Sequence, residues 1–148
     1  MDESPHHPGA TAPSAGRSRV HPLSPHMQIY GWTITMAASI THRATGMALA
    51  AGTLLLSWWI IAAAFSPEAY AVFQSVAGHP VGESVLFGFV WSLMFHLLNG
   101  IRHLAWDMGY GFKLGTAKLT GALVYAGSVA LAGGIFALAF MAKGGFSL

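Results

Sequence analysis

The sequence predicts an all-α integral membrane protein with three transmembrane helices, and three observations support this fold class. Only 8% of the 148 residues are charged, whereas a soluble domain carries about 25%. Hydrophobic residues make up 54% of the chain, and its mean hydropathy is +0.55. Three uncharged runs each approach or exceed the roughly 18 to 20 residues that cross a bilayer core of about 30 Å.

The composition also excludes several kinds of protein. The formal net charge of +2 is too small to indicate a nucleic-acid-binding protein. Cysteine is absent, so the chain forms no disulfide and cannot itself bind an iron–sulfur cluster or a zinc–thiolate site. Eight histidines are therefore the main resource for metal or proton chemistry.

Residues 1–25 are predicted to form a flexible, solvent-exposed tail. They are rich in proline, glycine, serine and alanine and show no apolar periodicity. The stretch "HPLSPHMQIYGW", residues 21–32, predicts an ordered approach to the bilayer, with Tyr30 and Trp32 suited to the membrane interface. The rest of the chain, residues 26–148, is predicted to be one three-helix transmembrane domain.

The three apolar runs define the predicted transmembrane helices. The first uncharged run covers residues 44–65 and has a helical approach from about residue 33; the second covers residues 84–101 and the third residues 119–142. The sequence shows no internal repeat. The predicted helices are about 33–65, 83–107 and 116–142.

The positions of lysine and arginine predict the orientation, because cytoplasmic segments are enriched in both. Residues 66–83, between the first two helices, contain neither, and Lys143 follows the third helix. The basic residues of the tail, the first helix and the other connection are Arg17, Arg19, Arg43, Arg102, Lys113 and Lys118. This asymmetry predicts a cytoplasmic N-terminus and a periplasmic C-terminus.

The second apolar segment carries a polar stripe. Positions i, i+3, i+4 and i+7 share one face of an α-helix, and the residues that follow this spacing or extend it by a turn are His96, Asn99, Gly100, His103 and Asp107. Arg102 lies to one side, and the rest of the helix is predicted to be compatible with lipid. At about 1.5 Å per residue, His96 lies roughly 16 Å from Asp107, and therefore near mid-membrane if Asp107 marks the inner interface.

His96 has two interpretations. It can hydrogen-bond a neighbouring helix as a packing residue, or it can be a metal ligand or part of a proton relay. A neutral imidazole at this depth can bind haem iron through one nitrogen. Gly100 lacks a side chain on the same face, which would let a flat macrocycle approach the backbone. His103 is either an interfacial residue or part of such a site.

A second polar cluster lies on the first apolar segment, where "SITHRATG" places Ser39, His42, Arg43 and Gly46 at the same helical spacing. Arg43 can be only a basic residue that extends to the interface, with Ser39 a helix-packing residue. Alternatively, the cluster is a pocket for the polar head of an apolar molecule. A quinone fits this description, because its carbonyls require donors and its isoprenoid tail requires lipid.

A haem with two histidine ligands would require a second chain. The third predicted helix contains no histidine. His42 and His103 are predicted to lie too near the inner rim to share a mid-membrane haem with His96. If His96 is one of two histidine ligands, the other is therefore expected on another protein.

Two stretches, "HPLSPHMQIYGWTITMAASITHRATG" and "HLLNGIRHLAWDMGYG", resemble the cytochrome b subunit of succinate dehydrogenase, the larger membrane anchor of respiratory complex II. The shared features are an "SPH" entry, S-x-x-H-R-x-[ST]-G on the first helix and H-x-x-x-G-x-R-H-x-x-x-D on the second. The resemblance covers about residues 21–142. One departure is "RVHPLSPH" in place of the usual "RP-x-SPH".

The resemblance implies a set of cofactor-binding residues. His96 matches the axial ligand of haem b, and a smaller membrane anchor subunit would supply the other histidine. Ser39 and Arg43 match residues of the ubiquinone pocket. His42, Arg43 and His103 are similar to the neighbours of the haem propionates, and we include Asp107 in the expected site.

The resemblance also implies partners and a reaction. The chain would anchor a flavoprotein subunit and an iron–sulfur subunit in the bacterial inner membrane. Electrons from succinate oxidation, a step of the tricarboxylic acid cycle, would pass to ubiquinone. Succinate itself would react on the flavoprotein, so this chain would contribute to the quinone site without being catalytic for succinate.

Two other functions fit the same residues. A proton-conducting or transport subunit would use the stripe of His96, His103 and Asp107 as a relay. An assembly protein would need no cofactor. A visible spectrum distinguishes them, because haem b gives a sharp band on reduction and the other two classes give none.

Overall fold

The computed structural model describes residues 31–142 and residue 144, and it contains four helices in this part of the chain. They are α1 (Ile34–Phe65), α2 (Pro67–Ala77), α3 (Pro80–Asp107) and α4 (Leu114–Ala142). Three of them, α1, α3 and α4, are long and apolar enough to cross a membrane. The predicted all-α integral membrane fold is therefore confirmed, while the predicted tail, residues 1–25, lies outside the described residues.

The three long helices form an up–down–up bundle. In α1 and α3, Gly46 faces His96 and Gly52 faces Phe89, so these helices are antiparallel. The rings of Phe87 and Phe136 lie 5.2 Å apart and Leu98 faces Gly127, which makes α3 and α4 antiparallel as well. One end of the bundle, here called the histidine end, therefore combines the start of α1, the end of α3 and the start of α4.

Helix α2 occupies a segment that the sequence analysis treated as a loop. Ser66 ends α1 in an extended conformation, and its side-chain oxygen accepts a hydrogen bond from the Ala69 backbone N–H at 3.1 Å. Pro67 occupies the first turn, where its missing N–H costs nothing. Because 11 residues are too few to cross a bilayer, a search for long apolar runs does not detect this helix.

The turn between α2 and α3 is tight. The His79 ring nitrogen Nδ1 accepts a hydrogen bond from the Val81 N–H at 3.3 Å, so α3 begins at Pro80 and not near residue 83. A Cβ at Gly82 would collide with the Val76 carbonyl oxygen. Only glycine allows this approach of the two backbones. Outside the spans, the Glu68 backbone N–H and the Ser66 hydroxyl hold the pKa of the Glu68 carboxyl below its ordinary value.

The bundle core is small and the apolar surface is large. Ala38 of α1, Phe95 of α3 and Val124 of α4 form the buried cluster. Large apolar side chains on all three long helices are exposed, with Leu54 at 73%, Leu97 at 52% and Leu123 at 59%. A soluble protein does not present such a surface, whereas lipid tails or another apolar helix cover it at no cost.

Candidate cofactor site

Three of the sequence-predicted site residues form a histidine cluster at the histidine end, where α1 contacts α3. The rings of His42 and His96 are stacked, with centroids 3.9 Å apart and planes inclined by 12°. The ring of His42 also lies 5.4 Å from that of His103, with planes inclined by 49°. His42 therefore lies between the two histidines of the stripe on α3.

The predicted separation in depth between His42 and His96 is wrong. His42 lies 8 residues after the start of α1, and His96 lies 11 residues before the end of α3. The difference of 3 residues amounts to about 4.5 Å of helix rise, which two imidazole side chains can span. The sequence gives the position of each histidine only relative to the end of its own helix, whereas the relative positions of two helices depend on their packing.

Thr45 and Gly46 form the surface of α1 against which His96 packs. Thr45 is buried, and its Oγ1 lies 3.4 Å from Nδ1 of His96. The same hydroxyl donates a hydrogen bond to the His42 backbone carbonyl at 3.0 Å. At Gly46 an added Cβ would lie 3.3 Å from Cε1 of His96. Small side chains on α1 therefore allow the ring to approach the helix backbone.

The remaining sequence-predicted residues lie at the edges of the histidine cluster. The ring of His103 contacts the Trp106 ring edge-on, at 5.1 Å between centroids. Arg43 and Asp107 are exposed, and Ser39 is half-buried. Gly100 has no atom within 4 Å of an added Cβ. In the part of the chain that is described, no side-chain hydrogen bond joins Arg43 or Asp107 to the histidines.

The structure overturns the prediction that only one face of α3 is polar. Arg102 is only 6% exposed and is directed at α4. There its Nε donates to Oγ1 of Thr120 at 3.1 Å and its Nη2 to the carbonyl of Ala117 at 3.0 Å. Its Nη1 donates to Oδ1 of Asn99 at 3.3 Å, and the guanidinium lies 4.0 Å from the centroid of the Trp106 ring.

The spacing of this second polar face is visible in the sequence. Asn99, Arg102 and Trp106 are separated by three and four residues, as neighbours on one helix face are. This face is hard to recognise in the sequence because it shares Asn99 with the histidine stripe. An arginine within a transmembrane helix requires hydrogen-bond acceptors inside the bundle. This requirement predicts a polar partner on a neighbouring helix, as Thr120 is.

A further hydrogen bond that the sequence did not predict joins α1 to α4. The hydroxyls of Thr41 and Tyr125 lie 2.7 Å apart, one residue before His42. The Tyr125 ring also packs 4.9 Å from that of Phe95 in the core cluster. This bond holds α4 against α1 close to the histidine cluster.

Three buried polar atoms have no hydrogen-bond partner within the described residues. They are Nδ1 of His42, Nε1 of Trp91 and Nδ2 of Asn99. Unpaired polar groups in a low-dielectric interior are costly. Each of these atoms would be stabilised by a hydrogen bond to a group outside the described residues.

The described residues hold no group of three or more histidines, cysteines, aspartates or glutamates arranged to bind a bare metal ion. An apolar cavity of about 540 Å³ lies at the opposite end of the bundle, lined by residues such as Leu55, Trp58 and Phe73. This cavity is remote from the histidine cluster, so the size of a cavity does not identify the candidate cofactor site of this chain.

The fold and the site define a class of protein: a small all-α integral membrane subunit with imidazole and hydroxyl groups inside its spans and a largely apolar outer surface. Residues 17–135 match the family described as the succinate dehydrogenase/fumarate reductase transmembrane subunit. The chain belongs to this family, as the sequence motifs predicted.

Relatives of known function are similar over most of this chain. The succinate dehydrogenase cytochrome b556 subunit of Paracoccus denitrificans is 44% identical over 111 residues, which are 75% of this chain and 85% of that protein. The corresponding protein of Rickettsia prowazekii is 38% identical over 110 residues, 74% of this chain and 86% of the relative. The mitochondrial cytochrome b560 subunit of Bos taurus is 42% identical over 105 residues, 70% of this chain and 62% of the bovine protein.

Proposed function

We propose that this chain is the membrane anchor that binds haem b and ubiquinone in a succinate:quinone oxidoreductase of the bacterial inner membrane. Family membership and the cytochrome b names of the relatives support the proposal. The observation that carries it is the environment of His96. Within the described residues no side-chain hydrogen bond involves Nε2 of His96, whereas Nδ1 has a partner in Thr45, so Nε2 is the ring nitrogen left to bind an iron.

The residues present fit a haem. Four of the six iron ligands come from the macrocycle, so this chain needs to supply only one imidazole, and the absence of a larger ligand group among the described residues is no obstacle. His42 does not suit the opposite axial position, because its ring is stacked on that of His96 with nearly parallel planes. Two imidazoles stacked in this way would not both direct a ring nitrogen at one iron from opposite sides.

The second axial histidine is therefore proposed to come from the smaller anchor subunit. When bound, haem b supplies a one-electron carrier within the membrane. His96 would hold the iron through Nε2, with His42 and His103 beside it in the histidine cluster. The ring nitrogens of His103 and Nε2 of His42 would be suited to hold the propionates, whereas Nδ1 of His42 is buried within this chain.

The quinone site is proposed at Ser39 and Arg43. The exposed guanidinium of Arg43 is available to a molecule or subunit outside this chain. A charged donor beside a quinone carbonyl stabilises the negative charge that develops on the oxygen during reduction. Asp107, also exposed at the end of α3, is proposed to lie at the edge of the same site.

The proposed assembly contains a flavoprotein subunit and an iron–sulfur subunit at the cytoplasmic side, where the histidine end would lie. Succinate is oxidised on the flavoprotein and electrons pass to ubiquinone through the membrane domain. The distribution of lysine and arginine supports this orientation.

A proton relay along α3 is less well supported. A relay requires hydrogen bonds or bridging water between successive groups. His42 separates His96 from His103 through ring stacking and a tilted contact. Within the described residues no hydrogen bond joins the three rings to each other or to Asp107.

Replacing His96 tests the haem assignment. In the purified complex, His96→Ala should abolish or strongly weaken the reduced haem b band, because the iron loses its only axial ligand from this chain. His79→Ala is the matched control, since His79 lies at the start of α3, far from the histidine cluster, and this variant should keep the band. A full-strength spectrum in His96→Ala would exclude His96 as the ligand.

A further inference from the structure

We infer that Thr45 is a positioning residue that holds His96 in the tautomer required of a metal ligand, with the proton on Nδ1 and the lone pair on Nε2. The inference rests on the proposed haem ligation by His96. Its basis is a pair of hydrogen bonds that meet at one hydroxyl.

The first of these bonds assigns the donor. Oγ1 of Thr45 lies 3.0 Å from the backbone carbonyl oxygen of His42. A carbonyl oxygen only accepts, so the single hydroxyl proton of Thr45 points toward it. Oγ1 is left with lone pairs alone for its second neighbour.

The second bond then assigns the tautomer. That neighbour is Nδ1 of His96, at 3.4 Å from Oγ1. Since Oγ1 has no second proton to give, Nδ1 must carry the hydrogen. A neutral imidazole with its proton on Nδ1 has its only available lone pair on Nε2, the nitrogen that has no side-chain hydrogen bond within the described residues.

The surroundings of the ring maintain this orientation. Thr45 is only 3% exposed, so water does not compete for its hydroxyl. The His42 ring is stacked on His96 at 3.9 Å, and a Cβ added at Gly46 would lie only 3.3 Å from Cε1 of His96. A flip of the His96 ring would place a ring carbon where Nδ1 now lies. The hydrogen bond to Thr45 would be lost, and the buried hydroxyl oxygen would have no donor.

This hydrogen bond has an electronic consequence. When Oγ1 of Thr45 accepts a hydrogen bond from Nδ1–H, the imidazole of His96 becomes a stronger electron donor through Nε2. Stronger donation stabilises ferric more than ferrous iron and lowers the reduction potential. The Thr45 hydroxyl is therefore expected to hold the haem potential below the value set by the same ring without this partner.

The test is a redox titration of the haem band in the purified complex carrying Thr45→Val or Thr45→Ser. Valine keeps the volume and removes the hydroxyl, and it should retain haem with a midpoint potential shifted upward and an altered low-spin ferric EPR signal. Serine keeps the hydroxyl and loses a methyl group, and it should titrate as the unmodified complex does. Thr53→Val is the matched control, because the Thr53 hydroxyl makes the same kind of bond to the Ala50 carbonyl without a histidine nearby.

The outcomes separate a hydrogen-bonding role from packing. An unshifted potential in Thr45→Val, or equal shifts in the serine and valine variants, overturns the inference and leaves the His96 ligation intact. Haem retained in full by His96→Ala would instead refute the proposed function. If the valine variant does not assemble, Thr45→Ala against Thr45→Ser makes the same comparison, since both remove volume and only serine keeps the hydroxyl.

Discussion

Arg43 and Arg102 show how two arginines in spans of one chain can have opposite environments. Arg43 is exposed, whereas Arg102 is buried with acceptors from α3 and α4. A buried cation without acceptors would be costly in lipid, so Arg102 serves the fold. An exposed cation contributes little to the packing of this chain, so Arg43 is available for binding.

We therefore expect Arg43→Ala to impair ubiquinone reduction while succinate oxidation with a soluble artificial acceptor remains largely unchanged. Ser39→Ala should have a smaller effect in the same direction, because a neutral hydrogen bond contributes about 0.5 to 1.5 kcal/mol and one from a charged donor about 1.5 to 3 kcal/mol. Steady-state assays of both reactions on the purified complex make the measurement. Parallel loss of both activities would indicate misassembly and argue against a quinone role.

At the scale of the helices, Arg102 is the main polar connection between α3 and α4. Its guanidinium bonds Asn99 on its own helix and both Thr120 and the Ala117 carbonyl on the other. These bonds fix the position of α3 relative to α4 at the histidine end. His103 is the residue that follows Arg102. The cluster of Thr41 and Tyr125 acts similarly between α1 and α4.

Removal of Arg102 should therefore destabilise the bundle. Arg102→Ala removes the charged donor to Oγ1 of Thr120 and Oδ1 of Asn99, while the Ala117 carbonyl keeps the Thr120 hydroxyl as a donor at 3.3 Å. We expect a cost of about 1.5 to 3 kcal/mol. The stability of Arg102→Lys should fall between those of the unmodified protein and Arg102→Ala, because lysine keeps the charge and loses the planar arrangement of donors. Thermal unfolding of the detergent-solubilised complex measures the effect, with Arg43→Ala as the control; equal stability of the two alanine variants would contradict the prediction.

At the scale of the whole molecule, the proposed orientation has a direct test, because the chain lacks cysteine. Single cysteines in place of Glu68, on α2, and of Lys113, before α4, occupy exposed positions at opposite ends of the bundle. In spheroplasts, a membrane-impermeant maleimide should label Glu68→Cys at once. Lys113→Cys should react only after the membrane is permeabilised. The reverse pattern would place the N-terminus outside.

The three spans and the histidine stripe were predictable because both depend on order along one helix. Hydropathy averaged over 18 or more residues detects α1, α3 and α4, and a spacing of three and four residues places His96 and His103 on one face. Helix α2 was not predicted, because its 11 residues are too few for an average over 18 residues. Its Ser66-Pro67 start was nevertheless visible as a helix-initiating pair.

By itself, the sequence determined that this protein lies in a membrane, how many times it crosses and which side chains can carry chemistry. These properties follow from composition and local periodicity. Only the tertiary structure decided that His42 stacks on His96, that Thr45 bonds the same ring and that Arg102 faces α4. The physical reason is that contacts between helices depend on their rotation and relative shift. A shift of about one turn, roughly 5.4 Å, changes every partner while leaving the hydropathy of each helix as it was.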